Sequence, residues 1–166
     1  MKDTRSDIAR VMMAEYRIMK APAKMMTMAL GSCVGIVLYD AQAGVGALAH
    51  VMHPNSDNVK NKSNKGKFVD TAVDAMIEEL SEAGGNKKRF IAKIFGGATM
   101  FDGYPSCRGV IQIGARNVEA AREVLAGRGI PVVGECVGGT KGRTIIFDLS
   151  DGSVMVKDIA GSERVM

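Results

Sequence analysis

The sequence has no tryptophan, and phenylalanine and tyrosine bring the aromatics to only 5% of its 166 residues. A chain so poor in stacking side chains, and without a known nucleic-acid motif, is not expected to bind nucleic acid despite its net charge of +4. The excess positive charge is local, in the runs Lys60 to Lys67 and Lys87 to Arg89, and such patches equally suit an acidic protein partner. Cysteine is scarce and odd in number. Cys33, Cys107 and Cys136 show no CxxC spacing and meet no paired His-x-x-x-His, which argues against a disulfide framework, a structural zinc site and any metal centre. No unbroken run of about 18 apolar residues exists, and the start of the chain lacks the apolar stretch of a signal peptide. The expected compartment is therefore the cytoplasm, without membrane insertion.

What is present suits one globular domain: 46% hydrophobic and 24% charged residues over a length that buries one sizeable core. Both ends are small or polar and are expected to fray, at about 1–8 and 160–166. Strand-like runs lie at Ala14 to Lys20, Lys24 to Leu30, Val34 to Tyr39 and Val45 to Met52, the last two flanking a turn-like 40–44 segment. The 54–67 segment has almost nothing to bury and reads as a mobile basic loop. Apolar residues at Val69, Ala72, Val73, Met76, Ile77 and Leu80 predict a helix over 69–83, closed by Gly84-Gly85. A strand at Phe90 to Phe95, a second helix over about 115–126, and strands near 132–137, 144–149 and 154–159 complete the reading. Many strands and two helices without regular βαβ alternation predict an α+β domain, layered, with a mixed, largely antiparallel sheet.

The hairpin brings the chemistry together. A loop centred between Ala41 and Gln42 pairs Tyr39 with Gly44, Val37 with Gly46 and Cys33 with His50. Directly opposed residues share a face with Cβ atoms about 5 Å apart, near enough for a thiol and an imidazole to interact. A neighbouring imidazolium lowers a cysteine's pKa and supplies a proton, so the pair offers a nucleophile and an acid for acyl transfer. Gly31 and Ser32 leave the backbone room to turn, which would aim the Cys33 N–H at a developing oxyanion. Thr27 and Ser32 are the nearest hydroxyls to orient His50. On spacing alone, an isolated cysteine and a lone histidine more often serve packing than catalysis.

Leu30-Gly31-Ser32-Cys33-Val34, Tyr39-Asp40 and Ala49-His50-Val51-Met52 before Pro54 resemble the nucleophile and histidine segments of the CheD family, the chemoreceptor glutamine deamidases. Asp70-Thr71-Ala72, Lys93 to Ala98 with Met100-Phe101, Ile113 to Asn117, and Gly138-Gly139 with Gly142-Arg143 resemble further blocks of that family in the same order. The resemblance spans about residues 10 to 160. It implies a single domain with a layered α/β sandwich fold and a cofactor-free activity: hydrolysis of glutamine side-chain amides on methyl-accepting chemotaxis receptors through a cysteine thioester. It implies Cys33 as nucleophile, His50 as general base and acid, and Thr27 as the residue that orients the histidine. It also implies a monomer that docks a CheC phosphatase, the alternative being a regulatory module without catalysis, and an associated receptor methylesterase activity. Met100-Phe101 and the 54–67 loop are the candidate docking surface.

The remaining groups are read as structural. His53 departs from the family pattern and lies on the strand face opposite His50. Thr140 also departs from the pattern, and its loop receives no role. Arg116 and Asn117 are expected at the start of the second helix, one pinning a strand and the other bonding locally. Gly96-Gly97 forms a turn without a phosphate-loop signature. Cys107 and Cys136 have no histidine at a useful offset, and most of the 12 methionines are expected in the core.

Overall fold

A computed structural model describes residues 8–100 and 108–166, with residues 108–111 as backbone only. Among the described residues, ten strands form two five-stranded sheets. The inner sheet runs β2 (Glu15–Lys20), β5 (Val45–Val51), β4 (Val34–Asp40), β6 (Ile91–Gly96), β7 (Val132–Val137). The outer sheet runs β1 (Ala9–Arg10), β3 (Lys24–Leu30), β8 (Arg143–Asp148), β9 (Val154–Asp158), β10 (Glu163–Val165). Pairing is antiparallel except at β1–β3 and β6–β7. Helices α1 (Val69–Glu82) and α2 (Arg108–Gly127) cover the free face of the inner sheet.

This layering explains why β4 and β5 read as unbroken apolar runs: all fourteen of their residues are buried, because both faces of the inner sheet are covered. Val34, Ile36, Leu38, Ala47, Ala49 and Val51 point at the helices, where Val73, Met76, Leu80 and Leu125 close one core. Val37, Tyr39 and Leu48 point the other way, to a second core with Met25, Leu30, Ile145 and Phe147 of the outer sheet. Alternation therefore aims His50 and Cys33 into the gap between the two sheets.

The hairpin differs from its sequence reading in one respect. Asp40 stays in the strand, and its carboxylate accepts the N–H groups of Gln42 and Ala43, so the loop is 41–44 and its centre moves by one residue. Tyr39 pairs with Gly46, and Gly35 pairs with His50. Cys33 is thus not directly opposite His50; it lies just before β4, diagonal to the histidine and on the same face. Diagonal neighbours stand about 7–8 Å apart at Cα, within reach of longer side chains.

Other differences are smaller. α2 begins at Arg108, about two turns before the periodic signal, which puts Asn117 in mid-helix. Arg116 is exposed and donates to Gln112 instead of pinning a strand. Residues 163–165, expected to fray, pair with β9. The 54–67 loop is tied down at Ser56, whose hydroxyl donates to Asp70 at 2.8 Å, and at Lys67, whose carbonyl accepts the N–H groups of Met52 and His53. Phe101 and Cys107 lie outside the described residues. Among the described residues no helix is long and apolar enough to cross a membrane.

Asp40 is the hub of the hairpin end. Burial works to raise its pKa, but Arg89 and the N–H groups of Asn86 and Ala43 outweigh it and bring the carboxyl down to about 2. Arg89 remains about a third exposed, which moderates the pair's contribution. Asp40→Asn should lower stability at pH 7 by about 2–3 kcal/mol in urea unfolding. A carboxyl with a depressed pKa contributes fully above its unfolded value of 3.8 and loses that contribution as pH falls toward 2. The difference between wild type and variant should therefore shrink over that window.

Candidate active site

β3 carries a bulge between Thr27 and Leu30 that keeps both side chains turned inward while Met28 and Ala29 face solvent. Ala29 takes a φ of +58°, a left-handed conformation that alanine adopts only under constraint. The bulge brings the Thr27 hydroxyl to 2.7 Å from Nδ1 of His50, across the gap between the sheets.

The proton positions follow from valence. Thr27 Oγ1 has one hydrogen and also lies 2.7 Å from the carbonyl oxygen of Val11, which can only accept. The hydroxyl therefore donates to Val11 and accepts from Nδ1–H of His50. This places the neutral imidazole's proton on Nδ1 and leaves Nε2 as a bare lone pair. Nε2 is buried and has no hydrogen-bond partner among the described residues. Burial brings the His50 pKa down to about 4, so the ring is neutral at physiological pH.

Cys33 sits in a three-residue bend between β3 and β4, partly buried against the inter-sheet core. Burial pushes its thiol up from the ordinary value, while its own backbone N–H pulls the other way. The sequence led us to expect an imidazolium lowering the thiol pKa. Instead both groups rest in their neutral forms, because each is desolvated and neither titration is shifted by a nearby charge.

The bend is held on both sides. Gly97 N–H donates to Cys33 O at 2.9 Å and Ala98 N–H to Gly31 O at 2.7 Å. Gly96 must be glycine twice over: its φ is +95°, and a Cβ there would lie 2.4 Å from Cys33 O. Asn117, read from the sequence as a local helix-entrance residue, is fully buried and donates from Nδ2 to Ser32 O and to Met52 O, each at 3.0 Å. A polar residue directly before the core position Val118 and one turn before the core position Ala121 was the available signal. The Val11 carbonyl, just past the two-residue β1, had none.

His50 forms part of the wall of an apolar cavity of about 260 Å³ that opens between Arg10, Met12, Met13 and Met28. The three methionines are more than half exposed there. A larger cavity of about 570 Å³, between Cys136, Arg143 and Arg164, contains neither Cys33 nor His50. His53 bridges to Phe68 and lies apart from this wall, and Cys136 lies beside the Arg143 guanidinium. Among the described residues no three His, Cys, Asp or Glu side chains gather where they could hold a metal ion.

A partly buried thiol, an imidazole with a bare nitrogen and a hydroxyl that holds the ring form the donor set of cysteine-dependent hydrolases, here at the gap of an α+β sandwich. The family model described as CheD chemotactic sensory transduction matches residues 52–158. A protein of Caldanaerobacter subterraneus subsp. tengcongensis is 48% identical, covering 93% of this chain and 94% of its own. One of Clostridium tetani is 45% identical over 90% of each chain, and one of Desulforamulus reducens 40% identical over 95% and 94%. Each is named "Probable chemoreceptor glutamine deamidase CheD". The chain belongs to the CheD family. Among solved structures, the Bacillus licheniformis hypothetical protein YfiH matches at a TM-score of 0.43 and 15% identity, covering 73% of this chain and 49% of its own. That likeness is too remote to bear on the site.

A histidine whose pKa falls on folding weakens the fold as pH drops from 6.5 to about 4, because the unfolded ring takes up a proton that the folded one refuses. The loss for His50 is on the order of 3 kcal/mol. His50→Gln should remove that part of the pH dependence of urea unfolding, and the ring's NMR titration in the wild type should have its midpoint near 4.

Proposed function

We propose that this chain is a chemoreceptor glutamine deamidase that works in the cytoplasm, with Cys33 as nucleophile, His50 as general base and acid, and Thr27 orienting the imidazole. The observation that carries the roles is the Nδ1-protonated His50, locked by Thr27, with its bare Nε2 on the sheet face it shares with Cys33. The names of relatives similar along nearly the full length of both chains support the substrate.

In the first half-reaction Cys33 Sγ attacks the carbonyl carbon of the glutamine side-chain amide as Nε2 takes the thiol proton. The tetrahedral oxyanion collapses, Nε2–H protonates the departing nitrogen, and ammonia leaves a thioester on Cys33. Water then attacks the thioester with its proton passing to Nε2. Collapse returns that proton to sulfur and releases glutamate. Thr27 Oγ1 accepts from Nδ1–H throughout and stabilises the imidazolium that forms in each half.

The exposed methionine rim beside His50 suits the body of a receptor helix, because methionine adapts to irregular apolar surfaces. A CheC-type phosphatase docking on the same rim is the second reading, favoured by that same surface.

Cys33→Ala should abolish ammonia release and the glutamine-to-glutamate mass change on a receptor cytoplasmic fragment. A variant that kept the activity would overturn the assignment of the nucleophile. Thr27→Val should lower kcat/KM by roughly 10²-fold or more, since it frees the ring to adopt the wrong tautomer. The acid limb of kcat/KM in the wild type should fall near pH 4, where His50 takes up a proton, and not at the ordinary histidine value.

A further inference from the structure

We propose that Asn117 is a positioning residue that locks the Ser32–Cys33 peptide plane so that the Cys33 N–H faces the developing oxyanion. The inference rests on the deamidase reading above and adds to it a residue from the opposite layer of the fold.

Asn117 lies in mid-α2, fully buried among residues of the helix-side core. Its two amide hydrogens go to two carbonyls, Ser32 O and Met52 O. Because both partners only accept, the amide has one possible orientation. Ser32 is the residue before the thiol, and Met52 lies two residues beyond His50. One side chain thus ties the nucleophile's bend to the end of the strand that carries the base.

The consequence for Cys33 comes from peptide geometry. In a planar trans peptide the C=O and the following N–H point in opposite directions. With Ser32 C=O held toward α2, the Cys33 N–H is turned away from the helix. No backbone carbonyl among the described residues accepts that N–H. The carbonyls on either side, Gly31 O and Cys33 O, are held by Ala98 N–H and Gly97 N–H. With those two carbonyls fixed, the Ser32–Cys33 peptide is the one in the bend whose orientation depends on a side chain. Without Asn117 it is free to rotate between its anchored neighbours and carry the N–H away from the reacting carbon.

α2 comes close enough to reach this peptide because Gly114, three residues before Asn117, has no side chain. A Cβ there would lie 2.6 Å from Ala98 O and 2.7 Å from Gly97 O. The helix therefore rests on the same two-residue segment whose N–H groups hold the bend.

The test separates carbonyl chemistry from simple thiol reactivity. Alkylation of Cys33 by iodoacetamide is displacement at a saturated carbon and builds no oxyanion, whereas glutamine hydrolysis builds one in each half-reaction. Asn117→Leu keeps similar bulk without donors. It should lower kcat for hydrolysis by roughly 10²–10³-fold, leave KM within about 3-fold, and leave the alkylation rate within about 3-fold of wild type. Hydrolysis unchanged, or hydrolysis and alkylation falling together, overturns the proposal.

A measurement on the wild type stands apart from how well the variant folds. A peptide whose glutamine amide is replaced by an aldehyde adds the Cys33 sulfur to its carbonyl carbon, the thiol proton ending on the new oxygen as a hemithioacetal. The amide resonance of Cys33 should move downfield on addition, and an unmoved resonance overturns the proposal. Wild type that hydrolyses no receptor glutamine sinks the deamidase reading, while the aldehyde experiment still reads the orientation of the peptide.

Discussion

The single proton of the Thr27 hydroxyl goes to the Val11 carbonyl, and the candidate site depends on that allocation. Because the hydroxyl oxygen can then only accept from the imidazole, the ring's own proton sits on Nδ1 and its other nitrogen is bare. Three segments cooperate in this: the residue that follows β1 supplies the carbonyl, β3 the hydroxyl and β5 the imidazole. They belong to two different sheets, so the tautomer is a property of how the sheets face each other. A bulge in β3 is what lets Thr27 and Leu30 both point into the gap.

The same gap decides the electrostatics. Charged forms of a thiol and an imidazole are costly where water is excluded, and burial shifts both groups toward their neutral forms. The resting pair is therefore neutral, and charge would develop only as bonds change. Holding the ring with a hydroxyl, and not with a carboxylate, fits this arrangement. A carboxylate on Nδ1 would raise the imidazole pKa and favour a standing ion pair with the thiol.

The inner sheet joins two kinds of support. Its outer-sheet face carries His50 and receives Thr27. Beyond its helix face, α2 reaches around the start of β4 to hold the Cys33 bend through Asn117 and the Gly97–Ala98 backbone. Strands buried on both faces give both supports a rigid centre, and Asp40 with Arg89 closes the far end of the β4–β5 hairpin.

Much of this was legible in one dimension. Periodicity located both helices and eight of the strands, and the alternation of β4 and β5 correctly put Cys33 and His50 on one face. That inference survived an error in the loop centre, because moving the centre by one residue shifts the pairing by two and returns every side chain to its own face. Direct opposition did not survive it, since the Asp40 carboxylate keeps that residue in the strand. The two-residue β1, the three-residue β10 and the early start of α2 carried too little periodic signal to be read. Alternation and helical period are local consequences of backbone geometry, so the sequence by itself determined the elements and the faces of their side chains. The contacts that build the site join residues 16, 23 and 85 positions apart, from Thr27 to Val11, Thr27 to His50 and Asn117 to Ser32. Only the packing of two sheets and a helix into layers brings such distant residues within hydrogen-bonding distance, so the tertiary structure decided the tautomer, the neutral pair and the hold on the bend.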